Sequence, residues 1–223
     1  MPRSAAGGRR FLVLIGAPGA GKGTQADRLA EALGLCKLST GEALREAVRA
    51  GTELGRAAEQ RMARGVLVED ATILELVRDE LARDRCANGA VLDGFPRTEA
   101  QAEGLERLLA EEGERVERAL FIDVEEEEVV RRLSSRRICE ACGRIQRPPA
   151  AGPGAGGAAG CENCGGTLVQ RPDDRPETIR HRLDVFRRET APLLDWYRAK
   201  SLLRDVDGNG DVPRVHERVR EAL

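Results

Sequence analysis

The residues able to do chemistry in this 223-residue chain begin with Gly16-Ala17-Pro18-Gly19-Ala20-Gly21-Lys22-Gly23-Thr24, directly after the apolar run Phe11 to Ile15. Glycines let a backbone curl tightly enough to aim several N–H groups into one concavity. The periodic segment Gln25 to Leu33 offers a helix N-terminus to the same anion. Lys22 adds a full positive charge. The spacing from Gly16 to Gly21-Lys22 is that of a phosphate-binding P-loop with one shift, because Gly23 follows the lysine and the hydroxyl arrives at Thr24.

The second group is four cysteines in two pairs, Cys139-x2-Cys142 and Cys161-x2-Cys164, with eighteen residues between the pairs. That spacing is typical of a four-thiolate zinc site, and Gly143 and Gly165-Gly166 suit knuckle turns whose amides approach sulfur. Four protein ligands fill a tetrahedron, so such an ion is structural and leaves no open catalytic position. It would hold together a segment too poor in apolar residues to fold alone. Cys36 and Cys86 stand apart from the pairs and read as core or incidental thiols.

The third group is ionic. Asp93 ends an apolar run, Ala90 to Leu92, and begins Asp93-Gly94-Phe95-Pro96-Arg97. In an open α/β sheet ligands collect at the carboxyl ends of strands, where a carboxylate can hold hydrated magnesium against phosphates. Arg132 and Arg136 precede the cysteines at i, i+4, with Arg131 and Arg137 beside them, and Arg171 follows. Like charges at that spacing repel on a bare surface. A polyphosphate at the loop would supply their counter-charge. Arg45, Arg97 and Arg182 are further candidates.

The elements that must position these groups alternate. Strands are expected at Phe11 to Ile15, Leu35 to Ser39, Ala90 to Leu92, Ala119 to Val124 and Leu202 to Val206. Helical patterns lie between them, including an insertion at Leu44 to Val48, Leu54 to Met62 and Ala71 to Leu81, with Gly51 and Gly65 as breaks. Ser39 with Glu42 and Thr98 with Gln101 have capping-box spacing. Asp174, Pro176 and Glu177 start a long helix to about Ala199, and Val212 to Leu223 closes the chain. This alternation predicts a parallel sheet covered on both faces. Cys139 to Cys164 interrupts it with a glycine- and alanine-rich composition, and Gly152 to Gly160 reads as a mobile tip.

Composition excludes more than it names. Charged residues make up 33% yet nearly cancel to −2, so no nucleic-acid or membrane partner is called for. With 3% aromatic residues, the cysteine pairs do not read as a nucleic-acid-binding zinc ribbon. No apolar run approaches the roughly 20 residues that span a bilayer. Arg3, Arg9 and Arg10 imitate a signal peptide, but the apolar stretch is short and runs into the loop. A cytoplasmic, reducing compartment is therefore expected, with Met1 to Arg10 a loose end.

Taken together, these residues resemble the adenylate kinases of the bacterial type with a long, zinc-bearing lid, over nearly the whole chain. Gly16 to Gln25 resembles that family's phosphate loop, displaced threonine included. Ser39-Thr40-Gly41 with Arg45, and Leu92 to Arg97 with Gln101, resemble its signature for holding AMP. The resemblance implies an α/β P-loop three-layer fold with a central parallel five-stranded sheet. It implies a core at 1–38, 69–134 and 175–223, an AMP-binding insertion at 39–68 and a lid at 135–174. The activity implied is reversible transfer of the terminal phosphoryl group of ATP to AMP, giving two ADP, by a monomer with zinc in the lid and magnesium on ATP. By the same resemblance Gly19, Ala20, Gly21, Lys22, Gly23, Thr24, Arg132, Arg136, Ile145, Gln146 and Gly210 hold ATP. Thr40, Arg45, Val66, Leu67, Val68, Gly94, Phe95, Pro96, Arg97, Gln101, Arg171 and Arg182 hold AMP. Lys22, Asp93, Arg97, Arg136, Arg171 and Arg182 act on the transferring group, and Asp173 and Asp174 sit at the lid hinge. Glu42 stands where many relatives place Asp, and Gln146 where an aromatic is frequent. The glycine- and alanine-rich tip, Pro148 to Gly160, implies a looser lid. A kinase of the same fold acting on another nucleoside monophosphate is the nearest rival.

Overall fold

The structure, a computed structural model, describes residues 8–146 and 160–223. Residues 147–159 and the first seven residues lie outside these ranges, and with them the expectations of a mobile tip and looser lid and of most of the loose N-terminal end. The first strand, β1 (Arg10–Ile15), is fully buried beyond its first residue, because side chains on both of its faces meet apolar cover. Phe11, Val13 and Ile15 enter one core, and Leu12 and Leu14 the other. Such a continuous apolar run is what a central strand of a doubly covered parallel sheet requires.

Around it pair β2 (Cys36–Ser39), β3 (Gly89–Asp93), β4 (Arg118–Asp123) and β8 (Leu203–Asp207), in the order β2-β3-β1-β4-β8. All pairings are parallel, with Val13 beside Leu92 on one side and beside Ala119 on the other. The five-stranded parallel sheet is thus as expected. One face is covered by α1 (Lys22–Leu33), α6 (Glu126–Ser135), α7 (Pro176–Val185) and α9 (Val212–Glu221), through Leu29, Val129, Ile179 and Val215. The other is covered by α4 (Asp70–Leu81), α5 (Glu99–Ala110) and α8 (Pro192–Ala199), through Val77, Leu105, Leu193 and Tyr197. Each large side chain so buried contributes roughly 1.5–3 kcal/mol, which makes the sheet a rigid platform.

Two shorter pieces project from that platform. Between β2 and α4 lie α2 (Thr40–Arg49) and α3 (Glu53–Ala63), joined at Gly51, whose φ of 63° is left-handed. Between α6 and α7 lies a small antiparallel sheet of β5 (Arg137–Cys139), β6 (Ile145–Gln146) and β7 (Leu168–Val169), in the order β6-β5-β7. Its three strands have no counterpart among the expected elements, because strands of two or three residues carry too little periodicity to be read.

Three local expectations are corrected. Cys36 and Cys86, expected as core or incidental thiols, form a disulfide with Cα atoms 5.0 Å apart. The parallel pairing that sets Cys36 beside Ala90 brings the turn before β3 against the start of β2, an approach that a sequence separation of 50 conceals. Ser39 precedes α2 without capping it, since its hydroxyl donates to Asp93 Oδ2 at 3.1 Å, and Glu42 accepts from Lys37 instead. The expected single helix from Asp174 to Ala199 is α7 and α8 separated by a π-helical turn, Phe186–Thr190. There the Ala191 N–H donates to Phe186 O, five residues back, and Pro192 supplies no N–H of its own.

Candidate active site

The loop after β1 turns through Gly19 (φ 88°) and Gly21 (φ 102°), and α1 begins at Lys22 itself, three residues earlier than expected. A side chain at Gly19 would also collide with Leu133, 2.7 Å from where its Cβ would stand. The N-terminus of α1 therefore faces the concavity with no side-chain cap, leaving its first amides for an anion. Lys22 Nζ meanwhile donates to Gly16 O (2.7 Å) and Ala17 O (2.9 Å). The departure at Gly23 has a steric counterpart: a Cβ there would stand 3.2 Å from Asp93 Oδ2, so glycine lets the helix start sit close against that carboxylate.

The loop opens into a cleft at the carboxyl ends of β1, β2 and β3. Its walls include Gly19, Gly21, Lys22, Gly23, Thr24, Thr40, Arg45, Val66, Leu67, Val68, Asp93, Gly94, Pro96, Arg97, Gln101, Arg136, Ile145, Arg171 and Arg182. Segments far apart in sequence thus meet around one space. Thr40 Oγ1 donates to Gly94 O at 3.0 Å, tying the start of α2 to the turn after β3. Arg97 Nε donates to Gly94 O at 2.7 Å, and the Arg97 N–H donates to Gln101 Oε1 at 2.8 Å.

The cations of this cleft divide into two sets. Arg136 makes a bidentate pair with the fully buried Asp174 (2.6 and 2.7 Å), and Arg182 reaches Asp173 (2.9 Å) and Asp174 (3.2 Å). Lys22, Arg45, Arg97 and Arg171 have no carboxylate within ion-pair distance among the described residues. Arg171 is buried, and its Nε has no hydrogen-bond partner among the described residues. Charge removed from water without a partner is costly.

The pKa directions register this crowding. Burial pushes the Lys22 ammonium down to about 8, against the pull of Asp93 and reinforced by Arg97, Arg182 and Arg136. Burial also lowers Arg97 to about 10 and Arg171 to about 9, and neighbouring arginines add to both shifts. Arg45 is lowered by burial, with Arg136 and Arg182 working in the same direction. Burial would raise Asp173, but Arg182, Arg136, Arg45 and Arg171 outweigh it and hold the carboxylate down. Such a set of strained cations is relieved by a polyanion.

Some expected residues stand outside the cleft wall. Ala20 and Phe95 are buried in the cores, and Gln146 and Gly210 do not line the cleft. Arg132 is also buried: its guanidinium donates to Ala20 O (3.3 Å), to Gly208 O (3.1 Å) and to Glu128 (2.6 Å). It clamps the phosphate loop to the loop after β8.

In the small sheet the sulfurs of Cys139, Cys142, Cys161 and Cys164 all lie within 4.8 Å of one another. Cys139 Sγ is 3.5 Å from Cys164 Sγ, and Cys142 Sγ is 3.6 Å from Cys161 Sγ. Zinc–sulfur bonds of about 2.3 Å imply tetrahedral edges of about 3.8 Å, so the cluster has the size to hold a metal ion. The Arg144 amide, assisted by neighbouring thiols, lowers Cys142 to about 6. The Gly166 amide pulls Cys164 the same way, but the other sulfurs outweigh it and hold that thiol up at about 12. Thiolates in one place resist joint ionisation unless a cation joins them.

The adenylate kinase family profile matches residues 14–202. An adenylate kinase of Caldicellulosiruptor bescii is 44% identical over 216 residues, covering 95% of this chain and 98% of that protein. An adenylate kinase of Thermodesulfovibrio yellowstonii is 46% identical over 204 residues, covering 92% of this chain and 94% of that one. A third, of Acidothermus cellulolyticus, is 47% identical over 212 residues, with 95% and 97% covered. The chain belongs to the adenylate kinase family.

The cleft also contains contacts beyond those expected. Thr190, in the π-helical turn, donates its hydroxyl to Arg97 O at 2.9 Å. Ser39 reaches Asp93, and Phe186 and Val185 line the cleft from α7 and the turn after it. No local pattern announces these contacts, which join segments dozens of residues apart. Among the described residues no helix is long and apolar enough to cross a membrane.

Proposed function

We propose that this chain transfers the terminal phosphoryl group of ATP reversibly to AMP, giving two ADP, as a cytoplasmic monomer serving adenine nucleotide balance. The observation that carries the reading is the set of cations without carboxylate partners, Lys22, Arg45, Arg97 and Arg171, converging from four segments on one cleft. Residues 39–68 act as the AMP-binding insertion, 135–174 as the lid, and the remainder as the core.

Phosphoryl transfer needs alignment and charge neutralisation more than a nucleophile from the protein. Lys22 and the amides from Gly19 to Thr24 hold the donor phosphates, displacing the Gly16 and Ala17 carbonyls from the ammonium. Arg45 and Arg97 hold the acceptor phosphate from the other side. Arg136, Arg171 and Arg182 spread positive charge over the transferring group, and Asp173 and Asp174 keep Arg136 and Arg182 aimed before substrate arrives. Arg132 keeps Ala20 and Gly208 at a fixed separation, which orders the donor side, while Gly210, Ile145 and Gln146 cover it. The backbone from Val66 to Val68, with Thr40, Gly94, Phe95, Pro96 and Gln101, shapes the acceptor side. Closure of the lid excludes water, so that ATP is not simply hydrolysed.

Two cations fit the donors present. Asp93, with the Ser39 hydroxyl and Thr24 close to the loop, is an oxygen set suited to magnesium, which when bound neutralises phosphate charge. Cys139, Cys142, Cys161 and Cys164 are a soft tetrahedral set suited to structural zinc. A coupled assay with ATP and each of AMP, GMP, CMP and UMP tests the reading. AMP is expected as the preferred acceptor. Preference for another monophosphate would assign the chain to a different acceptor.

A further inference from the structure

We infer that Asp70 is a positioning residue that sets the choice of adenine over guanine in the acceptor nucleotide. The inference rests on the proposal that Gln101 faces the acceptor base. Gln101 is 2% exposed and lines the cleft from the first turn of α5. Its own N–H donates to Thr98 Oγ1 at 3.1 Å, which leaves the side-chain amide to face the site.

Both ends of that amide are held. Oε1 accepts from the Arg97 N–H at 2.8 Å, and Nε2 donates to Asp70 Oδ1 at 2.7 Å. The two partners impose one orientation. A backbone N–H cannot accept, and a carboxylate oxygen cannot donate. Turning the amide over would set NH2 against N–H and carbonyl oxygen against carboxylate. One lone pair on Oε1 and one N–H on Nε2 then remain for a ligand.

That remainder is an acceptor and a donor in fixed positions. Adenine presents a donor at its 6-amino group and an acceptor at N1. Guanine presents the reverse at the same places, an acceptor at O6 and a donor at N1. A glutamine free to turn over serves either base, because its two ends exchange roles. A pinned glutamine serves only one for a given placement of the ring. Asp70 is the half of the pin that comes from a side chain. It stands at the first position of α4, just after the α2–α3 insertion, so the selecting contact joins the start of α4 to the first turn of α5.

The test compares kcat/KM for AMP and for GMP in the wild-type enzyme, Asp70→Ala, Asp70→Asn, Gln101→Ala and the double variant Asp70→Ala/Gln101→Ala. Asp70→Ser, which keeps a residue suited to a helix start, replaces Asp70→Ala should the latter not fold. In Asp70→Ala the GMP-to-AMP ratio is expected to rise about tenfold or more, the size of effect that unpaired hydrogen-bonding groups produce in discrimination. KM for AMP rises in that variant while KM for ATP stays within about twofold. Asp70→Asn, whose carbonyl accepts the same N–H, retains most of the preference. Adding Asp70→Ala to Gln101→Ala changes the ratio no further, because the two act through one amide. A purely structural role would lower the melting temperature and both acceptors together, leaving the ratio where it was. An unchanged ratio in Asp70→Ala, beside a changed one in Gln101→Ala, overturns the role of Asp70 and leaves the acceptor-base reading standing. An unchanged ratio in Gln101→Ala overturns the base contact itself, and this inference with it.

Discussion

The cleft and the cysteine cluster each gather like groups, cations in one and thiols in the other, and they differ in what holds them in place. In the cleft, Lys22, Arg45, Arg97 and Arg171 are brought together by a parallel sheet whose strands are buried on both faces. Their repulsion is borne by the cores, and a polyanion relieves it. In the cluster, only Cys139 lies on a strand, at the end of β5, and Cys142, Cys161 and Cys164 lie in the turns beside strands of two or three residues: Cys139 and Cys161 are buried, while Cys142 and Cys164 are exposed. The cleft is organised before its ligand arrives. On the proposed reading, the small sheet depends on a metal ion for much of its order.

Removing a charge from each region should therefore have opposite consequences for stability. The largest effect on activity is expected in Lys22→Met, with turnover down by roughly a thousandfold. Its melting temperature should be no lower than that of the wild type, since an unpaired cation has been removed, and a marked drop would show that the lysine supports the fold. Stripping the metal reverses the pattern. Chelation under denaturing conditions, or Cys161→Ser, should lower the melting temperature by at least about 5 °C while reducing turnover far less than Lys22→Met does. Metal analysis should return about one zinc per chain. A metal-free chain with unchanged melting would remove the contrast.

A subtler separation comes from pH. Lys22 is lowered to about 8 from an ordinary 10.5. Between those values the unfolded chain binds more protons than the folded one, so the contribution of this group to ligand-free stability rises with pH. ATP affinity should move the other way and weaken above about pH 8, as the ammonium is lost. Calorimetric titration at pH 7, 8 and 9 reads the affinity, and flat binding across that range would contradict the assignment of the phosphates to Lys22. The smallest effect is expected in Thr190→Val, which keeps the shape and removes the donor to Arg97 O. KM for AMP should rise several-fold with KM for ATP unchanged, as suits the loss of one buried hydrogen bond.

The same contrast governs how much could be read in the chain. The phosphate loop, the strand ending at Asp93 and the paired cysteines are contiguous patterns, and each carries its chemistry within a few residues. What escaped notice depends on strand order. Because β2 pairs with β3 and not with β1, Ser39 meets Asp93 instead of capping α2, and Cys36 meets Cys86. Thr190 reaches Arg97 only because a π-helical turn interrupts what otherwise reads as one amphipathic helix. Arg132 was legible as a donor-side residue. Its place as a buried clamp between Ala20 and Gly208 was not, since that role depends on the β4–β8 pairing that brings the loop after β8 close.

On the proposed reading, the cleft joins two nucleotides and passes a phosphoryl group between them with water shut out. The most direct test is the product balance after mixing the enzyme with ATP, magnesium and AMP. Two ADP formed for each AMP consumed, with no inorganic phosphate released, is the result expected. Release of phosphate from ATP with AMP left intact would contradict it.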